Sequence, residues 1–331
     1  MDQKKLSMID VARLSGVSVA TVSRVLNRNG RYSEETEKRV LDIVRQYDYK
    51  LNMNAKSLRT NKSQSIGVIV PDITNEFFAK IVRSIENYMV PHHYSVFVCD
   101  SNEDEEMENM HIENLISKSV DGIIYISGKS EVRTLSEEYH IPVVYIDRSP
   151  GNASLMVQSD NVLGGFLATE ELIRGGCSRI MMLRDYRWLS PVRQRYAGYK
   201  KAQEKYGIPV YEELQVNVNV DYASAKKKMC EVLDSGLEFD GIFASNDIIA
   251  LGALHALLEH GIKVPGRIKL VGFDDISLSE FCDPPITTVT QNTDRMGKRS
   301  AQTLLKLMKD ENIGSSNQII IPVSLHKRGT T

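Results

Sequence analysis

The stretch "SMIDVARLSGVSVATVSRVLN", residues 7–27, holds two short apolar runs on either side of "LSGVS". The apolar positions that could share one helical side are Ile9, Val11, Ala12 and Leu14 in the first run and Val22, Val25 and Leu26 in the second. Between them, Gly16 suits a left-handed turn and Ser18 is a good N-cap for the next helix. The stretch therefore predicts a helix-turn-helix.

A third helix is expected directly after this pair. Ser33 can cap it, and Glu34 and Glu35 would occupy its first turn, where the helix dipole favours negative charge. Its expected apolar stripe is Val40, Ile43, Val44 and Tyr47. Three short helices of this kind can close a minimal core, so we expect an all-α domain over residues 1–50.

Charge is unevenly distributed along the 331 residues. Residues 1–63 contain 13 Lys and Arg against 7 Asp and Glu, a net charge of +6, whereas the whole chain has a net charge of −2. The remainder therefore has a net charge of −8. A basic arm on an acidic body indicates a polyanionic partner for the arm.

The second helix is short enough for its N-terminal end to enter a DNA major groove. Arg24 could then bond a guanine edge, and an apolar side chain could contact a thymine methyl group. The candidate base-reading residues are Val19, Ala20, Thr21, Ser23 and Arg24. The candidate phosphate contacts, which would fix the register, are Ser7, Ser18, Thr21, Asn27, Arg31 and Tyr49. The alternative is a helical hairpin without a ligand.

After residue 65, near-continuous apolar runs such as "SIGVIVPD", "DGIFASND" and "IKLVGFDD" alternate with helical patterns. This alternation predicts parallel sheets covered on both faces, and the number of repeats favours two doubly wound α/β lobes with a cleft between them. Ligands of such sheets bind beyond the carboxyl ends of the strands. The residues that follow strands there are Asp72, Asp100, Asp147, Asn246, Asp247, Asp274 and Asp275. Each could instead be a helix N-cap, and this alternative is strongest for Asp247; Asp274 could cap "ISLSEF".

The same stretches resemble the LacI/GalR family of bacterial transcriptional regulators. The resemblance begins in "IDVARLSGVSVATVSRVLN", continues through "SLRTNKSQSIGVIVPDITNEFF" and reappears in "RYAGYKKA", "FASNDIIALGAL", "VPGRIKLVGFDD" and "PPITTVTQ". It implies a helix-turn-helix domain at 1–50, a hinge at 51–64 and a two-lobed, periplasmic-binding-protein-like body at 65–331. Lobe 1 would comprise about 65–159 and 291–319, and lobe 2 about 160–290 and 320–331.

The polar, basic segment 50–64 is typical of a flexible linker. By resemblance it becomes a hinge helix on DNA, where Leu58 would wedge open the minor groove and Ala55 would lie where paired hinges cross. Two residues depart from the family pattern. Leu51 replaces the usual proline, and Asn54 stands where an apolar residue is common.

The resemblance also assigns an effector pocket in the cleft. Arg195, Asn246 and Asp274 would be its polar anchors, and Asp147 and Gln291 match weaker contacts. Aromatic positions of the pocket match Phe77, Phe78 and Tyr222, and we expect Trp188 to line the cleft as well. The predicted effector is a small sugar or sugar phosphate. The segment "IPVVYIDRSPGNASLMVQSDNVLGGFLAT" is similar to ribose- and sucrose-operon regulators, which favours a pentose or a fructose-containing sugar.

The expected protein is thus a cytoplasmic, homodimeric repressor of a carbohydrate-utilisation operon, with double-stranded operator DNA and a carbohydrate as partners. We expect no membrane contact, cofactor, metal site or catalytic residue, since the sequence has no phosphate-loop, dinucleotide, G-x-S-x-G or H-E-x-x-H motif. A periplasmic sugar-binding protein is a rival, but no signal peptide is evident. Another is a same-family global catabolite regulator answering to a phosphorylated carrier protein, for which "AKIVRSIENYMV" offers Lys80 and Arg83.

Overall fold

The computed structural model describes residues 6–49, 62–126, 138–148, 155–311 and 318–331. The chain divides into two compact units, Met1–Ser63 and Gln64–Thr331, each with its own hydrophobic core. Within the described ranges, no helix is long and apolar enough to cross a membrane.

The N-terminal unit is built from α1 (Met8–Ser15), α2 (Val19–Leu26) and α3 (Glu34–Gln46). The side chains of Ser7, Ser18 and Ser33 cap the three helices by accepting backbone N–H groups from their first turns. Gly16 ends α1 in the left-handed conformation, with φ +67°. The buried core consists of Val11, Ala12, Val22, Val25 and Val40.

The predicted apolar side of α1 is wrong at two positions. Ile9 is 69% exposed and Leu14 is 44% exposed, because α1 buries the face formed by Val11, Ala12 and Ser15. At 100° per residue, Ile9 and Leu14 each lie roughly 110° around the helix from the centre of that face. An apolar residue on a two-turn helix is thus a weak indicator of burial.

In the described part of the body there are two sheets and the helices that cover them. Its strands are β1 (Ser65–Val70), β2 (Ser95–Asp100), β3 (Gly122–Tyr125), β4 (Val143–Ile146), β5 (Met156–Ser159), β6 (Ile180–Asp185), β7 (Gln215–Val218), β8 (Gly241–Ala244), β9 (Lys269–Asp274), β10 (Thr287–Gln291), β11 (Gln318–Ile321) and β12 (Val323–His326). Its helices are α4 (Glu76–Met89), α5 (Glu105–Ser117), α6 (Asn161–Arg174), α7 (Ser190–Tyr206), α8 (Tyr222–Asp234), α9 (Asp247–Glu259), α10 (Ser277–Phe281) and α11 (Thr293–Leu307), with short 3₁₀ turns at Val90–His92 and Glu212–Leu214.

The first sheet has the order β11-β5-β4-β3-β1-β2, and all its paired strands are parallel. In its register Ile66 lies beside Val96 on one side and Gly122 on the other. Every residue of β1 is buried, as expected for a strand covered on both faces. The helices α4 and α11 pack together beside this sheet, where Gly297 lies against the backbone of Ile81.

The second sheet has the order β12-β10-β9-β8-β6-β7, parallel throughout except that β12 runs antiparallel to β10. The chain passes between the sheets after β5, after β10 and after β11. Lobe 1 below means residues 65–159 and 293–321, and lobe 2 means residues 160–291 and 323–331. The predicted α/β class with two doubly wound lobes is confirmed.

Candidate functional sites

Helix α2 presents a polar and small-residue face to solvent. It buries Val22 and Val25, which leaves Val19, Ala20 and Arg24 exposed and the predicted base-reading residues Thr21 and Ser23 half-buried. The aliphatic part of Arg24 lies against Gly30, where an added Cβ would be 3.2 Å from the Arg24 Cδ. Arg24 is exposed, so its guanidinium group is accessible to a nucleic acid.

The predicted phosphate contacts also stabilise the helices themselves. Ser7 and Ser18 are N-caps, and Thr21 Oγ1 lies 2.9 Å from Ser18 Oγ. Asn27 Nδ2 donates to the Ser23 carbonyl at 2.7 Å. Arg31 is exposed and Tyr49 is half-buried. The predicted hinge residues Ala55 and Leu58 lie outside the described residues.

A cleft of about 310 Å³ opens between the two lobes at the carboxyl ends of their strands. Six of the nine predicted effector residues line it: Phe77, Phe78, Asp147, Arg195, Asn246 and Asp274. Backbone strain accumulates at this edge, since Asp147 has φ +61° and Asp274 has φ +111°. Residues other than glycine rarely have a positive φ, and those that do cluster at functional sites.

Arg195 is the best-anchored of these side chains. Its Nε donates to Asn161 Oδ1 at 2.9 Å, its Nη1 donates to the Ser245 carbonyl at 2.5 Å, and its guanidinium lies 3.6 Å from the centre of the Phe273 ring. The residue is 5% exposed, and burial lowers its pKa against the opposing effect of the Asp274 carboxylate. Its position on α7 depends on a close crossing with α6, where Gly165 lies against the Arg195 backbone.

Two buried carboxyl groups face the same space. Burial raises the pKa of Asp274 to about 7, and it also raises the pKa of Asp147. Arg195 Nη1 lies 3.7 Å from Asp274 Oδ1. Asp147 and Ser245 both line the cleft, and Asp147 Oδ1 and Ser245 Oγ have no hydrogen-bond partner within the described part of the chain. The cleft thus offers polar atoms that a bound hydroxyl group could satisfy.

The structure shows which of the polar residues after strands are helix N-caps. Asn246, not Asp247, is the N-cap of α9, and it accepts the Ile249 N–H at 2.8 Å while still lining the cleft. Asp247 is fully buried and accepts hydrogen bonds from Thr288 Oγ1 at 2.6 Å and the Ile276 N–H at 3.0 Å. Asp274 does not cap α10, whose N-cap is Ile276.

Three predicted effector residues lie outside the lining of the cleft, and effector contact by them stays a prediction. Trp188 packs edge-on against Tyr196 and under Arg184, whose guanidinium is 4.1 Å from a ring centre. Tyr222 is half exposed. Gln291 lies behind the lining, where its Nε2 donates to Asp274 Oδ1 at 2.6 Å and so orients that carboxyl group.

Sequence reasoning missed an ion-pair cluster at the rim. Glu103 of lobe 1 accepts from Arg148 of lobe 1 at 2.9 and 3.0 Å, and Arg187 of lobe 2 lies 2.7 Å from the same carboxylate. Arg187 also pairs with Asp185 at 2.7 Å. The adjacency of Arg148 to Asp147 was an available signal, but nothing local indicates that Glu103 and Arg187 meet.

A helix-turn-helix unit attached to a two-lobed body with a polar cleft defines a DNA-binding transcriptional regulator with a small-molecule effector domain, not an enzyme. A family model described as bacterial regulatory proteins, lacI family, matches residues 7–52, and one described as a periplasmic binding protein-like domain matches residues 169–331. The chain belongs to the LacI family.

Relatives match over nearly the whole length. The transcriptional regulator RegA of Clostridium saccharobutylicum is 34% identical over 318 residues, which cover 95% of this chain and 96% of RegA. The ribose operon repressor of Halalkalibacterium halodurans is 34% identical over 322 residues, covering 97% and 96%. A solved Lac repressor dimer bound to operator and the anti-inducer ONPF is similar with a TM-score of 0.89 and 26% identity, covering 99% of each chain.

Proposed function

We propose that this chain acts in the cytoplasm as a homodimeric repressor of a carbohydrate-utilisation operon and that a small sugar in the cleft controls it. The similar Lac repressor binds its operator as a dimer, and a two-fold dimer fits a pseudo-palindromic site with one α2 per half-site. The ribose operon repressor is a relative by full-length similarity. Together these favour a pentose, with ribose the first candidate.

One observation carries the proposal: Arg195, Asn246 and Asp274, which are far apart in sequence, line one cleft. A sugar presents vicinal hydroxyl groups that need acceptors and donors, and an apolar face that packs on aromatic rings. Here Asp274 and Asp147 supply acceptors, Arg195 supplies a donor, and the rings of Phe77 and Phe78 lie edge to face 5.1 Å apart.

The DNA contacts are proposed on the exposed face of α2. Arg24 reads a guanine, Val19 or Ala20 contacts a thymine methyl group, and Thr21 and Ser23 support the base contacts. Phosphate contacts come from Ser7, Ser18, Thr21, Asn27, Arg31 and Tyr49. In the linker, Leu58 wedges the minor groove and Ala55 allows two hinges to cross.

The test is a sugar panel measured by thermal shift and calorimetry on the full-length protein. A true effector present at about 100 times its dissociation constant stabilises the protein by about 2.7 kcal/mol. Ribose or another neutral pentose is expected to give this shift and to change operator affinity in a gel-shift assay. A panel without any saturable sugar would refute the carbohydrate assignment and leave the DNA-binding role intact.

The rival role, a regulator answering to a phosphorylated carrier protein, has less support. It would need a basic surface on lobe 1, and the helix predicted for that surface is α4. Lys80 of α4 pairs with Glu76 at 2.6 Å, which partly neutralises it and leaves Arg83 as the other cation of that helix. We therefore favour the small-molecule mechanism.

A further inference from the structure

The charges that line the cleft are mostly engaged with one another. Among the residues that the structure describes, five carboxyl groups and the guanidinium groups of Arg148, Arg187 and Arg195 line it. An anionic effector, such as a sugar phosphate, would be bound most strongly by one of these guanidinium groups. The question is therefore which guanidinium group could turn to a phosphate or carboxylate.

Arg195 is held from several sides. It bonds Asn161 and the Ser245 carbonyl, stacks on Phe273 and lies beside the Asp274 carboxyl group. Turning it toward an anion would break buried hydrogen bonds, which costs more than the same change at the surface. Arg195 can donate to a sugar hydroxyl group while it keeps its present contacts, but it is a poor anchor for a phosphate.

Arg148 and Arg187 form an anion site that is already filled. They come from different lobes, and the Glu103 carboxylate lies between them, with nitrogen–oxygen distances of 2.7 to 3.0 Å. The side chains of Arg148 and Arg187 are largely buried, whereas that of Glu103 is 33% exposed. Two guanidinium groups converging on one carboxylate is the geometry with which proteins bind phosphate and carboxylate ligands.

Removal of Glu103 would leave this pair of arginines facing the cleft. With Glu103 present, an effector phosphate must displace a carboxylate that is covalently tethered and therefore always available at high local concentration. It would also have to enter beside Asp185, which holds the other side of Arg187 through Nε and Nη2. A neutral sugar meets neither obstacle.

We propose that Glu103 is a specificity-determining residue that restricts the effector to uncharged ligands, because its carboxylate occupies the arginine pair formed by Arg148 and Arg187. This inference rests on the proposed sugar-binding function and narrows it, excluding sugar phosphates and sugar acids. Glu103 would act by excluding anions, and this role requires no contact between Glu103 and the bound sugar.

Inorganic phosphate is a probe that does not require the effector to be known. Calorimetric titration of the full-length protein should show no saturable phosphate binding at millimolar concentration in the wild type. Glu103→Ala should bind phosphate roughly tenfold or more tightly than the wild type, because two charge-assisted contacts become available. Glu103→Gln, which preserves the side-chain shape, should change in the same direction by a smaller factor.

Two further variants locate the effect. Glu106→Gln removes an equal charge at an exposed position three residues away and should leave phosphate binding unchanged. Adding Arg187→Ala to Glu103→Ala should abolish the gain. The proposal is overturned if the wild type binds phosphate as tightly as Glu103→Ala, if neither Glu103 variant gains binding, or if the gain survives the loss of Arg187.

Ribose and ribose 5-phosphate separate this proposal from the one on which it rests. Wild-type protein that binds ribose but not ribose 5-phosphate supports both. Equal affinity for the two ligands overturns the role of Glu103 and leaves the carbohydrate function standing. If no neutral sugar binds and Glu103→Ala still gains phosphate, the carbohydrate function fails while the role of Glu103 in excluding anions stands.

Discussion

Arg24 is the side chain that we expect to determine DNA sequence preference at one position of each half-site. It is the exposed cation of α2, and its stem rests on Gly30. Arg24→Ala is expected to weaken binding to a selected operator by about 1–3 kcal/mol and to relax preference at one position of each half-site. Fluorescence anisotropy on an operator and its single-base variants measures both effects.

A control with the same charge change is available on α3. Arg39 is exposed there, outside the recognition helix, and Arg39→Ala should leave base preference unchanged. If Arg24→Ala weakens every DNA sequence to the same extent, Arg24 contacts a phosphate and its assignment as a base reader is wrong.

Asp274 and Asp275 are neighbours with different expected roles. Asp274 lines the cleft, whereas Asp275 pairs with Arg328 at 2.7 Å within lobe 2. Asp274→Ala should weaken sugar binding by about 1–3 kcal/mol or abolish it, while operator affinity stays within roughly threefold. Asp275→Ala should lower the melting temperature and leave the sugar dissociation constant unchanged. Calorimetry measures the sugar dissociation constant of both variants. An unchanged sugar affinity in Asp274→Ala would show that Asp274 does not contact the sugar.

Asp247 gives a pH dependence with a definite sign. Burial raises its pKa to about 8, and the nearby Asp274 carboxylate adds to the rise. The folded state therefore keeps a proton that the unfolded chain, with a pKa of about 3.9, releases. Stability from this group is complete below about pH 4 and is lost as pH rises toward about 8. Denaturant titrations of the wild type between these limits should show falling stability.

The Asp247→Asn variant tests the source of that slope. At low pH it should be about as stable as the wild type, because an amide resembles the protonated carboxyl group and can direct its oxygen toward the Ile276 N–H and its Nδ2 toward Thr288 Oγ1. Its stability should also change less with pH than that of the wild type. Parallel pH profiles for the two proteins would show that other groups produce the slope.

At the scale of elements, capping residues and strand ends could be read from the sequence. Ser18 and Ser33 cap helices at the expected positions because capping depends on residues within one turn. Four of the seven polar residues predicted to follow strands line one cleft, because parallel strands end at the same edge: Asp72, Asp147, Asn246 and Asp274. The buried face of a short helix is harder to predict from the sequence. The sequence pattern predicts that Ile9 is buried, but Ile9 is exposed, because burial there depends on what packs beside α1.

The crossing of α6 and α7 is an element-scale feature with a testable consequence. A Cβ on Gly198 would overlap the Val162 carbonyl, so the helices can approach this closely because both Gly165 and Gly198 lack side chains. Gly198→Ala is expected to move α7 and displace Arg195, costing about 1–3 kcal/mol in stability and weakening sugar binding. Gly266→Ala, where the added methyl group would meet the Lys263 side chain, is the control and should change neither.

At the scale of the whole molecule, contacts between lobes were beyond sequence reasoning. Glu103 and Arg187 follow strands of different sheets, and neither lies in a local pattern that indicates a partner. A second contact joins Glu76 at the start of α4 to Ser277 at the start of α10. Such pairs depend on how the two lobes close, which residue spacing along the chain does not encode.

The Glu76–Ser277 contact makes a prediction about closure. Ser277 donates its N–H at 2.8 Å and its Oγ–H at 2.7 Å to the Glu76 carboxylate across the lobes, and Ser277 does not line the cleft. A ligand enclosed by both lobes binds more tightly when the closed arrangement is favoured in its absence. Ser277→Ala removes one of the two hydrogen bonds. It should raise the sugar dissociation constant roughly two- to tenfold, which corresponds to the net free energy of one hydrogen bond.

Lobe 2 contains a matched control for this variant. Ser178 donates its N–H and its Oγ–H to the Asp240 carboxylate at 2.8 and 3.0 Å, but both residues belong to the same lobe. Ser178→Ala should therefore lower the melting temperature without altering sugar affinity. Because effector and operator affinities are linked through one equilibrium, Ser277→Ala should also shift the sugar concentration needed for the operator response by the same factor. Equal sugar affinities in the Ser277→Ala variant and the wild type would show that this contact takes no part in closure.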